Sequence, residues 1–178
     1  MQLTDAERLI LTMLCEIHEH LKIDKGIDPK FVQEAIATDN TWGLIREYDG
    51  IFHGHHETPE HVEEVVSILE MWRTIEFGFG QLTPEAQATV RTEAELFGDP
   101  RFKGFDGNNE SEQLGVAHFL VDHMNRFDEL KGRELNSHCP TIDAYRRMLK
   151  VYMPMKTSIT PLTAAELITI LKAQLYPR

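Results

Sequence analysis

The chain has 178 residues, enough for an apolar core that folds without the help of a disulfide or a metal ion. Apolar residues make up 42% and charged residues 26%, as in ordinary globular proteins, and no apolar run approaches the ~20 residues of a membrane-spanning helix. The net charge of −11 disfavours nucleic-acid binding, because an acidic surface repels the phosphate backbone.

Capping residues mark the helix starts in the first half of the chain. Residues Thr4–Glu7 form a capping box, in which a threonine hydroxyl and a glutamate carboxylate each accept a hydrogen bond from a free backbone N–H group. Asp28-Pro29 and Thr58-Pro59 predict two more starts, because proline is favoured at the first helical position. The wide apolar stripe over residues 62–75 is typical of a central helix with several neighbours. The apolar side chains behind the capping box recur at helical spacing, at Leu9, Ile10, Met13, Leu14, Ile17 and Leu21.

The second half of the chain carries similar signals. Thr83-Pro84 predicts a more polar surface helix, which ends at the Gly and Pro residues within 97–100. The apolar spacing from Leu114 to Leu130 predicts one long helix. Pro140-Thr141 predicts the start of the next helix, and Thr163–Glu166 is a second capping box that opens the last one.

These elements predict the fold class. No segment alternates apolar and polar residues over a sustained run, so we expect no β-sheet. The sequence therefore predicts an all-α bundle of about seven or eight helices. Glycine-rich breaks near residues 77–83 and 98–109 divide it into two helical subdomains, 1–80 and 81–178, which pack together or form one compact domain.

A histidine cluster, made of His53, His55, His56 and His61, lies just before the predicted central helix. Imidazoles are good ligands for zinc and nickel. The HExxH motif is absent, because Glu60 stands where the second histidine is required. We interpret the cluster as a polar loop with incidental metal affinity, and we predict neither a metal site nor a cofactor.

Residues 102–110, FKGFDGNNE, have a composition typical of an ordered turn. They do not form an EF-hand: counted from Asp106, the sixth and twelfth positions hold Ser111 and Ala117 instead of Gly and Glu. If the EF-hand pattern is counted from Asp99 instead, Arg101 and Lys103 stand at positions that require a calcium ligand. We expect a turn whose Asp and Asn side chains cap the next helix.

If this turn meets the polar segment 136–147 in space, the two would form a polar pocket for a substrate or small molecule. The candidate pocket residues are Asp106, Asn109, Glu110, Asn136, His138, Tyr145 and Arg147.

Charge is unevenly distributed along the chain. Residues 1–76 have a net charge of −10 (6 basic, 16 acidic), whereas residues 131–178 have a net charge of +5 (8 basic, 3 acidic). Opposite ends of this kind attract each other within one chain or between subunits. Two cysteines, Cys15 and Cys139, are too few for a disulfide framework, and the first residues lack a secretory pattern, so we expect a cytoplasmic protein.

Several stretches of the chain resemble one family, the YfbU family of small bacterial cytosolic proteins. The resemblance implies a compact multihelical fold; it implies no activity and no catalytic residue, because the family is without an assigned function. The histidine cluster lies in a stretch that departs from the family pattern. The matching stretches are RLIL (8–11), WGLIRE (42–47), VSILEMW (66–72), FKGFDGNNE (102–110), LGVAHFLV (114–121), RF (126–127), NSHCPT (136–141), YRRMLKV (145–151) and LTAAELITIL (162–171).

Two hypotheses about function follow. The first is a non-enzymatic interaction or regulatory protein that self-associates as a homo-oligomer, because the chain has many apolar stripes and no complete catalytic constellation. The second is an uncharacterised enzyme or small-molecule binder that uses the pocket between segments 102–110 and 136–147. A nucleic-acid binder ranks third, since only the basic C-terminal third favours it.

Overall fold

The structure, a computed structural model, describes residues 2–54, 56–156 and 160–175. No strand forms within these residues, where an isolated bridge pairs Phe105 with Asn136, so the prediction of an all-α fold is confirmed. The helices are α1 Asp5–His20, α2 Pro29–Ala37, α3 Thr41–Glu47, α4 Glu60–Gln81, α5 Pro84–Glu93, α6 Ser111–His118, α7 Ile142–Tyr152 and α8 Ala164–Lys172.

The capping signals position the helix starts as predicted. In α1 the Thr4 N–H donates to the Glu7 carboxylate at 2.8 Å, and the Glu7 N–H donates back to the Thr4 hydroxyl at 3.3 Å. Thr163 and Glu166 form the same box at α8. Asp28 caps α2 by accepting the N–H of Lys30 at 2.9 Å. These helix starts can be predicted from the sequence because they depend on contacts between residues close in sequence.

Two predictions of helix bounds were inexact or wrong, and one helix was not predicted. The helix predicted from Leu114 to Leu130 ends much earlier: α6 stops at His118, and one π-helical turn follows over Phe119–His123. Asn125 and Phe127 take positive φ angles of 50° and 58°, which no continuing helix permits. Helix α3 was not predicted, and α4 begins at Glu60, with Pro59 as its N-cap rather than its first helical residue.

Helix α4 forms the centre of the molecule. It packs against α6, α7 and α8, while α5 packs on α8, α7 on α8, and α1 on α2. Val65, Ile68, Met71 and Ile75 of α4 are completely buried, as its wide apolar stripe predicted. The buried side chains of both halves join one apolar core, and the division at residue 80 stays a prediction. In the described part of the chain, no helix has the length and apolar composition to cross a membrane.

Candidate functional site

The two polar loops singled out in the sequence meet in space. The Phe105 N–H donates to the Leu135 carbonyl at 2.9 Å, and the Ser137 N–H donates to the Phe105 carbonyl at 3.0 Å. This short backbone pairing aligns segment 102–110 beside segment 135–141. The geometric condition for a shared polar site is therefore met.

Gly104 makes the close approach of the loops possible. Its φ of +92° lies in the region that favours glycine, and a Cβ atom there would lie 1.8 Å from the Leu135 carbonyl oxygen. Its own carbonyl accepts the Thr141 hydroxyl at 2.9 Å and the Tyr145 hydroxyl at 3.2 Å. Any side chain at Gly104 would push the loops apart, so this glycine is a requirement of the site.

Glu110 is the anchor of the polar network. Its side chain is buried, and one carboxylate oxygen accepts the N–H groups of Thr141 and Ile142, both at 2.7 Å. The other oxygen accepts the Asp106 N–H at 2.9 Å and lies 3.0 Å from the Thr141 hydroxyl, whose single proton is shared with the Gly104 carbonyl. A carboxylate at these free N–H groups caps α7 and complements its dipole. The composition of the turn predicted that its Asp and Asn side chains would cap the following helix, α6; instead Glu110 caps α7, 32 residues further along the chain.

Asp106, Asn109 and Asn136 complete the network. Asp106 is buried and accepts the Asn108 N–H at 3.0 Å and the side-chain amide of Asn109. The hydrogen bonds from Asn109 and Asn108 hold the pKa of the Asp106 carboxyl below its usual value. The side-chain Oδ1 of Asn136 accepts the N–H groups of Gly107 at 3.1 Å and His138 at 3.0 Å. Each of these polar groups is thus occupied in shaping a turn.

The other predicted pocket residues lie at different places. His138 is an exposed residue with φ of 55°, and Arg147 donates to the carbonyl groups of Ala173 and Gln174 at the end of α8. A cavity of about 620 Å³ borders the loops, and of the seven predicted residues Asn136 and Tyr145 line it. The structure therefore gathers five of the seven into one network without directing them all into one cavity.

The network has little capacity for chemistry in this arrangement. Its buried carboxylates accept backbone N–H donors, so they are not poised to take a proton from a substrate. Tyr145 is almost fully buried, and burial raises the pKa of its hydroxyl, so it stays protonated at neutral pH.

The described residues of the histidine cluster form no metal centre. His55 lies outside the described residues; elsewhere in the described chain no three His, Cys, Asp or Glu side chains are arranged to hold an ion. The rings of His56 and Phe52 lie edge to face, with their centroids 6.5 Å apart. His61 Nδ1 lies 3.8 Å from the Glu112 carboxylate. His56 and His61 therefore have different neighbours and do not converge on one site.

The feature that sequence reasoning missed is the exposure of α1. Its apolar side chains Leu9, Ile10, Met13, Leu14, Ile17 and Leu21, here named the α1 stripe, are each between 51% and 63% exposed. Their spacing was visible in the sequence, but helical periodicity does not reveal what covers an apolar face. Within α1, Cys15 alone is buried, on the side that packs on α2.

Comparison with known proteins agrees with the resemblance. The chain is 29% identical over 180 residues to the UPF0304 protein MJECS11 of Methanocaldococcus jannaschii, an alignment that covers 96% of this chain and 99% of that protein. This relative is archaeal, so the relatives of the chain are not confined to bacteria. The family described as the YfbU domain matches residues 1–173. The chain belongs to the YfbU family.

Proposed function

We propose that this protein is a non-enzymatic interaction protein of the bacterial cytoplasm that self-associates through α1. The observation that carries the proposal is the exposed α1 stripe. The alternative, an enzyme or small-molecule binder at segments 102–110 and 136–147, is less favoured because the polar groups of that network already bond one another.

The size of the α1 stripe supports an interface. Six large side chains, each about half exposed, leave roughly 500 Å² of apolar surface in water, which equals the largest patch of a typical monomer. Covering the stripe in two copies removes about 1,000 Å² from water, which is about the minimum for a biological interface. Each side chain that completes its burial contributes about 1 kcal/mol, so burial of the stripe favours association.

The spacing of the α1 stripe suits a second helix. Ile10, Leu14, Ile17 and Leu21 alternate by four, three and four residues, the spacing of a coiled-coil seam. A helix with the same spacing can pack its side chains into the gaps between them. A second copy of α1 offers such a partner without further assumptions.

The symmetry of a homodimer suits the α1 stripe. A two-fold axis lets the same patch meet itself, with the two α1 helices antiparallel where the axis is perpendicular to them and parallel where the axis runs along them. In the antiparallel arrangement Asp5 and Glu7 of one copy would lie near Lys22 and Lys25 of the other, an end that also holds Glu19 and Asp24.

The cysteines agree with a cytoplasmic location. Buried Cys15 and exposed Cys139 are both free thiols, as expected of a protein kept in a reducing compartment.

Light scattering coupled to size-exclusion chromatography tests the proposal. The wild type is expected to elute as an oligomer, and the double variant Ile10→Glu/Ile17→Glu as a monomer with unchanged helix content. Phe77→Glu is the matched control, because Phe77 is 58% exposed on α4, and it should leave the oligomer intact. A wild type that remains a clean monomer at high concentration would refute self-association.

A further inference from the structure

The cavity that borders the two polar loops is lined by charged residues that the polar network does not use. Its volume of about 620 Å³ lies within the range of ligand pockets, roughly 300–1,000 Å³. Phe102, Tyr145 and Ala144 contribute apolar surface to its walls, and Arg101 and Lys103 contribute positive charge. Apolar walls with a few charged groups are the usual lining of a site for a small organic molecule.

The two cations of the cavity have no counter-ion in the described part of the chain. Both are exposed, and no described carboxylate forms an ion pair with Arg101 or Lys103. The third charged residue of the lining, Glu134, accepts the Asn136 N–H at 3.0 Å. Two positive charges and one negative charge leave the lining at +1, in a protein whose net charge is −11. Because neighbouring cations repel each other, a bound anion would lower the electrostatic energy of this wall.

We propose that this cavity binds a small organic carboxylate, whose charged group pairs with Arg101 and Lys103 and whose apolar body lies against Phe102 and Tyr145. An arginine guanidinium group can bond a carboxylate through two parallel N–H groups, and a lysine ammonium group adds a second positive charge. A carboxylate would neutralise the lining, whereas a phosphate ester, with a charge near −2, would reverse its sign. The charge of the lining therefore favours a carboxylate.

The proposal depends neither on self-association nor on the polar network. No residue of the α1 stripe lines the cavity, and the buried carboxylates of Asp106 and Glu110 do not line it either. The probe is 2-naphthoate, a two-ring acid without further polar groups, and the variant Ile10→Glu/Ile17→Glu should bind it like the wild type. Loss of binding in that variant would place the probe on the α1 stripe and refute the proposal. A monomeric wild type that binds 2-naphthoate would refute self-association alone, and an oligomer that binds none would refute this proposal alone.

Methyl NMR locates the bound probe. An aromatic acid shifts the signals of the methyl groups next to its rings, so 2-naphthoate should shift those of Thr141 and Ala144, which line the cavity. The methyl signals of Val32 and Ile10, which do not line it, are expected to stay unchanged. Unshifted signals of Thr141 and Ala144 at millimolar 2-naphthoate, or shifts confined to α1 and α2, would overturn the proposal.

Removal of the two cations tests their role. The variant Arg101→Gln/Lys103→Gln should bind 2-naphthoate about tenfold more weakly, because two exposed charge pairs are lost. Circular dichroism should show an unchanged fold, since both side chains are exposed. The matched control Lys30→Gln/Lys150→Gln makes the same change of net charge at two exposed lysines outside the cavity and should leave the affinity unchanged. Equal weakening in both double variants would show an effect of net charge and refute binding at Arg101 and Lys103.

The charged group of the ligand is tested with two analogues of the same ring system. The neutral 2-naphthamide should bind the wild type about tenfold more weakly than 2-naphthoate, and it should bind the Arg101→Gln/Lys103→Gln variant about as well as the acid does. The phosphate ester, 2-naphthyl phosphate, should bind the wild type no more tightly than 2-naphthoate. Equal affinity of the wild type for the acid and the amide would refute the role of the cations, and tighter binding of the phosphate ester would refute the carboxylate class.

Discussion

Replacing Glu110 with glutamine tests whether the polar network stabilises the fold. Glutamine keeps the shape of the side chain but replaces one acceptor oxygen with an NH₂ group. In either orientation, that group would face at least one of the N–H donors of Asp106, which is buried, or of Thr141 and Ile142, which are partly buried. Loss of a hydrogen bond to a charged group costs about 1.5–3 kcal/mol, and a buried donor left unpaired costs about 1–3 kcal/mol.

We therefore expect Glu110→Gln to lower the free energy of unfolding by about 3 kcal/mol. In a domain of this size that loss corresponds to a decrease of roughly 6–12 °C in Tm. Urea unfolding followed by circular dichroism measures the free energy, and hydrogen exchange at Thr141 and Ile142 reports the local loosening. The control is Glu112→Gln, an exposed change in the first turn of α6 that should stay within about 0.5 kcal/mol. If Glu110→Gln is as stable as that control, the network does not hold the loops together and the case for a chemical role is reopened.

Two further stability predictions concern the same loops. Gly104→Ala should destabilise the protein by at least about 2 kcal/mol in urea unfolding, because its Cβ would collide with the Leu135 carbonyl. The control Gly132→Ala, at a φ of +75° with no atom within 4 Å of the added Cβ, should cost only about 1 kcal/mol. Equal losses of stability in the two variants would refute the steric argument. Burial raises the pKa of Tyr145, so the unfolded state releases its proton first, and stability should be fully present below pH ~10 and fall above it. In an alkaline absorbance titration, one of the 4 tyrosines should ionise only together with unfolding, and Tyr145→Phe should remove that late step.

The predictable parts of the fold are those that short-range chemistry decides. The capping boxes at Thr4 and Thr163 each involve residues three apart, and both helices begin where the boxes indicate. The apolar spacing beyond His118 predicted a continuous helix, because Leu120 and Phe127 recur at helical intervals. Both are buried, but Leu120 lies in the π-helical turn and Phe127 lies beyond it with a φ of 58°, a backbone change that the spacing of apolar residues does not encode.

The residues of the polar network could be predicted from the sequence, but the hydrogen-bond donors that they accept could not. Asp106 and Glu110 stand out in the sequence as a turn rich in acceptors. Which donors they accept depends on bringing Thr141 and Ile142 next to them, and this is decided by the packing of α6 and α7 on α4. Arg147 was grouped with the pocket as part of segment 136–147, yet its side chain and that of Tyr145 leave α7 in different directions, and Arg147 reaches the end of α8. Helical geometry separates residues two apart by about 200°, which argues against such groupings.

The α1 stripe illustrates a different limit of sequence reasoning. An amphipathic helix shows that an apolar face needs covering, but the pattern is the same whether the cover comes from the same chain or from another. α4 and α1 both carry regular apolar stripes; Ile68 of α4 is completely buried, whereas Ile10 of α1 is 57% exposed. In α1 the side toward α2 holds Cys15, and the larger stripe faces away from the core. A chain that needed α1 only to cover α2 would gain nothing from Leu9, Ile10, Met13 and Ile17 on the opposite side, and it would be less soluble with them. The arrangement is understandable if a second copy covers the stripe, and the Ile10→Glu/Ile17→Glu variant separates that explanation from an apolar face without a partner.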